Sequence, residues 1–190
     1  MGKIILASSS PRRADILKKT NVEFKIIPSP YIEDHTTTVF SYEFIENLAY
    51  NKAKAVVPLV EAPSIIIGAD TVVVLDNEIL GKPDGRNGAF SMLKKLSGKT
   101  HQVVTSIVVI NSETGECKKN STTSYVTFEN LTDEQINSYI DKYKPFDKAG
   151  SYGIQEMPEG YIKSYTGDLE NIIGMSSASL KKLLEFQKLQ

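Results

Sequence analysis

The sequence predicts one α/β unit with a cleft, and three observations carry that reading. A strand, a helix and a second strand follow one another before residue 28. Residues 65–75 are almost wholly apolar and β-branched, the signature of a strand buried on both faces. Elsewhere apolar positions recur at helical spacing between strand-like runs. With 190 residues, 41% of them hydrophobic and 24% charged, the chain is long enough to bury a substantial core.

Taken in order, residues 3–7 form the first β-branched run and 22–27 the second, with a helical pattern over 11–19 between them. A longer helix is expected over 42–60, where Phe44, Leu48, Ala53, Val56 and Val57 recur at near-helical spacing and Pro58 falls near the end. The buried strand 65–75 follows. Residues 87–96 read as a helix closed by Gly98, and 101–110 with 121–128 as an antiparallel pair joined by the polar turn 111–119. A helix over 132–143 opens with a capping box of Thr132 and Gln135. Residues 145–160 are a Gly- and Pro-rich loop, and 178–188 a closing amphipathic helix. No internal repeat, low-complexity tract or linker divides the chain into independent domains.

Composition narrows the function classes. The formal net charge of −1 gives no global electrostatic footprint for a nucleic acid polymer, so any phosphate binding is local. Cys117 is the single cysteine, which rules out an intramolecular disulfide and any multi-cysteine metal site. The apolar run Ile4, Ile5, Leu6 is too short for a signal peptide or a membrane span, and Leu6 stands where myristoylation needs Ser or Thr. A reducing, cytoplasmic setting is the expectation. Asn120 and Asn130 begin Asn-x-Thr triplets, which matter only in a secreted protein.

The first chemical signal lies at Ala7-Ser8-Ser9-Ser10-Pro11-Arg12-Arg13. Ser10 suits an N-cap and Pro11 the first helical position, so a helix starts directly after a strand. Arg12 and Arg13 then fall in the first turn, where the helix dipole disfavours each cation by about 0.3–1 kcal/mol. Two such costs side by side call for an anion, and a phosphate bound by N–H groups, the hydroxyls of Ser8 and Ser10, and a guanidinium would serve. The alternative is that both arginines point to solvent.

The second signal is Gly68-Ala69-Asp70-Thr71 inside the buried strand. An ionised carboxylate there costs several kcal/mol unless paired or bound to a metal. Gly68 and Ala69 would let a ligand or a backbone approach closely. The alternative is a structural ion pair or a bulge at Asp70. Lys52 and Lys54 on the second helix, Lys82 between Gly81 and Pro83, and Glu33 in the loop after residues 22–27 complete the candidates, although most lysines are plain surface charges. In the loop from Asp147 to Gln155, glycines flank Ser151-Tyr152, and Gln155 can both donate to and accept from a base edge. That loop reads as the rim of a small-molecule pocket, against the alternative of a turn in which Tyr152 packs on the core.

Two patterns are decoys. Ser97-Gly98-Lys99-Thr100 resembles the end of a phosphate-binding P-loop, but Leu93 stands where that motif needs Gly. His35 and His101 are the only histidines, and His101 reads as a packed strand residue rather than a base.

Together these segments resemble the Maf family, named for septum formation inhibition in bacteria and implied to be nucleoside triphosphate pyrophosphatases. The matching pieces are Ala7 to Arg13, Glu33, Leu48-Ala49 with Lys52-Ala53, Gly68 to Val72, Gly81-Lys82-Pro83, Leu96 to His101, Asp147 to Gln155, and Asn171 to Gly174, in order over nearly the whole length. The resemblance implies an elongated mixed sheet with flanking helices and a central cleft, like the inosine triphosphatase group. It implies that Asp70 is the proton acceptor, that Glu33, Lys52 and Lys82 belong to the site, and that Arg12, Thr71 and Gln155 bear on the base accepted. The Gly-Ile-Gln ending at Gln155 resembles the branch acting on dTTP and UTP. A homodimer is also suggested. The chain departs from the family pattern at Ser9, Glu156, Asp168-Leu169 and Ser176.

The expected chemistry is an in-line displacement at the α-phosphorus, with Mg²⁺ or Mn²⁺, or Co²⁺ in their place, held partly by Asp70 and Glu33. Arg12, Arg13, Lys52 and Lys82 would stabilise the phosphate charge. Two rivals stand beside it. One is a pyrophosphatase for modified purine or 7-methylguanosine nucleotides, and the other is a nucleotide-binding regulator of cell division with little hydrolysis.

Overall fold

The computed structural model describes residues 2–33 and 37–188. Seven strands among the described residues form one sheet, ordered β2-β1-β3-β5-β6-β7, with the short β4 paired to β3. The opening is the expected β–α–β unit: β1 (Lys3–Leu6), α1 (Pro11–Lys18) and β2 (Phe24–Ile26), with β1 parallel to both β2 and β3. The later pairings, β3 (Ser64–Leu75) with β4 (Glu78–Leu80) and with β5 (Thr100–Asn111), β5 with β6 (Cys117–Phe128), and β6 with β7 (Ile162–Thr166), are antiparallel. The sheet is therefore mixed, as the family resemblance implied.

Helices cover both faces. On β3, Ile66 packs with Ala49, Ala53 and Val56 of the α2 (Tyr42–Lys54) side, and Val72 and Val74 pack with Ile45. The alternate residues Ile67 and Ala69 pack with Ala14 and Leu17 of α1 and with Leu180 of α6 (Ser177–Lys188). Further along that face, Val73 and Leu75 meet α3 (Gly85–Leu96) and α4 (Asp133–Tyr143) through Ala89, Leu93, Ile136 and Ile140. This two-sided covering is why the strand reads as a continuous apolar run. The capping box of Thr132 and Gln135 is formed in both directions. No helix among the described residues is long and apolar enough to cross a membrane.

Four expectations need correction. The helix from Tyr42 stops at Lys54, and a separate 3₁₀ turn covers Val57–Leu59 around Pro58. The strands beside the expected turn 111–119 reach further, leaving only 112–116 between them. Two short elements carried no visible pattern: β7 and α5 (Leu169–Ile173). Ser10 holds extended N-cap backbone angles, but its side chain makes no cap hydrogen bond, and its N–H donates instead to Ser8 Oγ over 3.2 Å.

Candidate active site

The cleft follows from a gap in the sheet. Along one edge of β3 the parallel partner β1 runs out at Leu6 opposite Ile67, with a last bond from Ala7 N–H to the Ile67 carbonyl, while β4 begins its pairing only at Val73. Between these partners, positions 68–72 present an open strand edge. Ser8 to Arg13 leave the end of β1 on one side of the gap, and Gly81-Lys82 leave the end of β4 on the other. The resulting cleft measures about 410 Å³ and is lined by Ser8, Arg12, Arg13, Glu33, Lys52, Asp70, Thr71, Lys82 and Gln155 among others. Every candidate side chain named from the sequence except Lys54 borders it, Ser10 included.

Asp70 projects toward α2, because side chains alternate along a strand and Gly68, two residues earlier, sits beneath the helix. A Cβ on Gly68 would lie 2.3 Å from the Ala49 carbonyl oxygen and 2.8 Å from Ala53 Cβ, so only glycine admits the helix at this separation. The close approach is thus by backbone rather than by ligand. It brings Lys52, one turn on from Ala49, onto the carboxylate. Lys52 Nζ donates to Asp70 Oδ1 and also lies 2.9 Å from Glu33 Oε1. All three side chains are largely buried, at 8% exposure for Asp70, 13% for Lys52 and 21% for Glu33. Lys54 faces away, exposed over the Tyr50 ring.

The opposite face of β3 carries a second network. Arg13 does not point to solvent: its Nε donates to the Gly174 carbonyl over 3.1 Å, Nη1 to Ser8 Oγ over 3.3 Å and Nη2 to Thr71 Oγ1 over 3.1 Å. Burial lowers its pKa below the ordinary guanidinium value; Asp70 opposes the fall, Arg12 adds to it and Glu33 opposes it. The guanidinium remains charged at neutral pH. Thr71 Oγ1 also lies 2.9 Å from Thr105 Oγ1 and donates to the Gly174 carbonyl over 3.2 Å. With its proton and one lone pair committed, Thr71 holds Arg13 in place more than it faces a ligand.

Sequence reasoning gave no role to Asn171 or Lys148. Asn171 is fully buried; its Nδ2 donates to the Val103 carbonyl and to Ser124 Oγ, and its backbone carbonyl accepts from Thr105 Oγ1. It thereby fixes the turn that presents the Gly174 carbonyl to Arg13. Lys148 is buried in the cleft wall between Asp147, at 3.0 Å, and Glu156, at 3.2 Å. Arg12 Nη1 donates to the other oxygen of Asp147 over 3.3 Å. Burial raises the Asp147 pKa, but the Lys148 hydrogen bond and charge, with Arg12, outweigh it and the net shift is downward. The adjacent Asp147-Lys148 pair at the head of the Asp147–Gln155 loop was the signal available.

That loop is held by Gly150, whose φ of +66° and contact with Val73 exclude a side chain, and whose N–H donates to the Gly81 carbonyl over 3.0 Å. Gln155 and Lys82 both border the cleft and are exposed, and neither has an ion pair or side-chain hydrogen bond among the described residues. Tyr152 both borders the cleft and packs on the core. Its hydroxyl lies 2.7 Å from His101 Nε2, and its ring meets His101 and Phe128 edge-on. Burial lowers the His101 pKa to about 4, as suits a packed strand residue. His35 lies outside the described residues. Two of the departures are helix caps: Asp168 accepts from the Glu170 and Asn171 N–H groups at the start of α5, and Ser176 Oγ from Ser179 N–H at the start of α6.

A cleft at the open edge of a mixed sheet, with acid and lysine on one side and guanidinium groups on the other, has the chemistry to hold a phosphate-bearing small molecule. The chain belongs to the Maf family: the family described as Maf-like protein matches residues 3–187. A dTTP/UTP pyrophosphatase of Clostridium botulinum (strain Alaska E43 / Type E3) is 39% identical over 184 residues, covering 96% of this chain and 98% of its own. One of Ruminiclostridium cellulolyticum is 41% identical over 187 residues, covering 97% and 96%. Among solved structures, the Staphylococcus aureus Ham1 protein matches with a TM-score of 0.54 at 16% identity, over 97% of this chain and 99% of that one, which bears on the fold alone.

Proposed function

We propose that this chain hydrolyses dTTP and UTP between the α and β phosphates, releasing the monophosphate and pyrophosphate. The observation that carries the reading is the meeting, in one cleft, of the Lys52-bridged pair Asp70 and Glu33 with the guanidinium groups of Arg12 and Arg13 across the open edge of β3. The shared activity in the names of relatives that align over nearly the whole chain supports the same choice. A cytoplasmic setting is part of the reading, in keeping with a single thiol.

In this mechanism Asp70 accepts the proton of a water whose oxygen bonds to the α-phosphorus, while the bond to the bridging oxygen breaks and its electron pair leaves with pyrophosphate. Lys52 orients Asp70 and offsets one of the two carboxylate charges. Three of the five Arg13 N–H donors are tied to the framework, which leaves the rest pre-oriented toward phosphate oxygens. Lys82, exposed at the cleft mouth, meets the outer phosphates. Asp70 and Glu33 also suit a divalent cation, since two hard carboxylate donors with substrate phosphates and water make the usual Mg²⁺ or Mn²⁺ environment. Such an ion, held by Asp70 and Glu33, would supply charge neutralisation and lower the pKa of the attacking water.

The test is a panel of dTTP, UTP, CTP, GTP, ATP, inosine triphosphate and 7-methyl-GTP, each with Mg²⁺ and with excess EDTA, assayed for both products. Monophosphate and pyrophosphate from dTTP and UTP are expected, with loss of turnover in EDTA. Preference for the purine or methylated nucleotides would overturn the substrate choice, and full activity in EDTA the metal. No turnover of any nucleotide would favour the regulator.

A further inference from the structure

We propose that Lys148 and Arg12 form an anion subsite for the outer phosphates of the substrate and for product pyrophosphate, in which the Asp147 carboxylate is the resident counter-ion that phosphate displaces. This rests on the triphosphate reading above. Asp147 spans the two cations with its two oxygens, Oδ2 to Arg12 Nη1 at 3.3 Å and Oδ1 to Lys148 Nζ at 3.0 Å. A phosphate would bridge them in the same way, through separate oxygens.

Burial says which partner moves. The side-chain exposure is 9% for Lys148 and 29% for Arg12, but 62% for Asp147. The cations are set in the cleft wall, whereas the carboxylate lies over them in solvent, where ion pairs are weak. It can turn into water at little cost.

A nearly buried ammonium cannot be left without an anion. Glu156 answers that need: its buried Oε2 lies 3.2 Å from Lys148 Nζ and has no hydrogen-bond partner elsewhere among the described residues. Lys148 therefore stays paired while Asp147 exchanges with phosphate. Glu156, a departure from the family pattern next to Gln155, does not border the cleft, so it acts on Lys148 rather than on the base.

The experiment is isothermal titration of inorganic pyrophosphate, without metal, into the wild type, Asp147→Asn and Lys148→Met, with dTMP as the comparison ligand. Asp147→Asn should bind pyrophosphate about fivefold tighter, the scale of one exposed ion pair given up. Lys148→Met should bind it at least about tenfold more weakly, as expected for loss of a desolvated cation. Binding of dTMP should stay within about twofold, since its single phosphate does not reach the outer subsite. Unchanged or weaker pyrophosphate binding by Asp147→Asn, or an equal change for dTMP, would overturn the subsite. If Lys148→Met does not fold, Lys148→Arg, which keeps the charge and should keep the affinity, decides together with Asp147→Asn. These titrations need no turnover, so a failure of dTTP hydrolysis would remove the functional reading without deciding the subsite.

Discussion

Arg13 Nη2 donates to Thr71 Oγ1 over 3.1 Å, tying the first turn of α1 to the residue beside Asp70. The two neighbours on β3 thus serve opposite faces, Asp70 toward α2 and Thr71 toward α1 and α5. Thr71→Val keeps the shape and removes the hydroxyl, leaving a guanidinium N–H without its acceptor at a cost of about 1–3 kcal/mol. Urea unfolding should report that loss, and kcat for dTTP should fall with it as Arg13 loses its orientation. Lower stability with unchanged kcat would make the contact purely structural.

Gly68→Ala should damage the site from beneath. The added Cβ meets the Ala49 carbonyl at 2.3 Å, and a helix backbone cannot turn aside as a side chain can. Relief requires α2 to lift, which costs about 1–3 kcal/mol and draws Lys52 away from Asp70. The expected result is a lower urea midpoint together with reduced kcat in the fraction that remains folded.

Asp70→Asn should reduce dTTP turnover by about a hundredfold or more, the scale of a general-base contribution, in a protein whose circular dichroism is unchanged. Lys52→Met is the harsher substitution. It leaves Asp70 and Glu33 facing each other without their shared cation, and breaking such a largely buried pair costs about 3–5 kcal/mol.

His101 predicts an acid-sensitive stability. Its pKa is about 4 in the folded protein against 6.5 for a free imidazole, so between those values the unfolded chain binds more protons. Stability is full above about pH 6.5, falls as the pH drops through the window and levels off below about pH 4. The loss between pH 7.5 and 5 should be about 2 kcal/mol by urea unfolding. In His101→Gln the slope should vanish, and an equal slope there would assign it to other groups.

Gln155 is expected to set base choice. Uracil and thymine offer a carbonyl, an N–H and a carbonyl along one edge, which an amide can meet, while cytosine reverses part of that pattern. A mismatch leaves polar groups unpaired at about 1–3 kcal/mol each. Gln155→Ala should therefore lower kcat/KM for dTTP and UTP more than for CTP. Equal losses on every nucleotide would show that Gln155 does not read the base.

By itself the sequence determined the β–α–β opening, the buried central strand, the capped helix at Thr132, and the demand that Asp70 find a partner, because each is a local pattern with a physical cost. Short elements stayed hidden: the five residues each of β7 and α5 are too few to show a period. Nor could the chain say that Lys52 and not Lys54 meets Asp70, that Gly68 admits a helix backbone, or that Arg13 turns inward while Arg12 pairs with Asp147. Those outcomes rest on contacts between residues far apart in the chain, from 18 positions for Lys52 and Asp70 to 161 for Arg13 and Gly174. Local periodicity says which face of an element seeks burial. Only the packing of one element on another decides what it meets there.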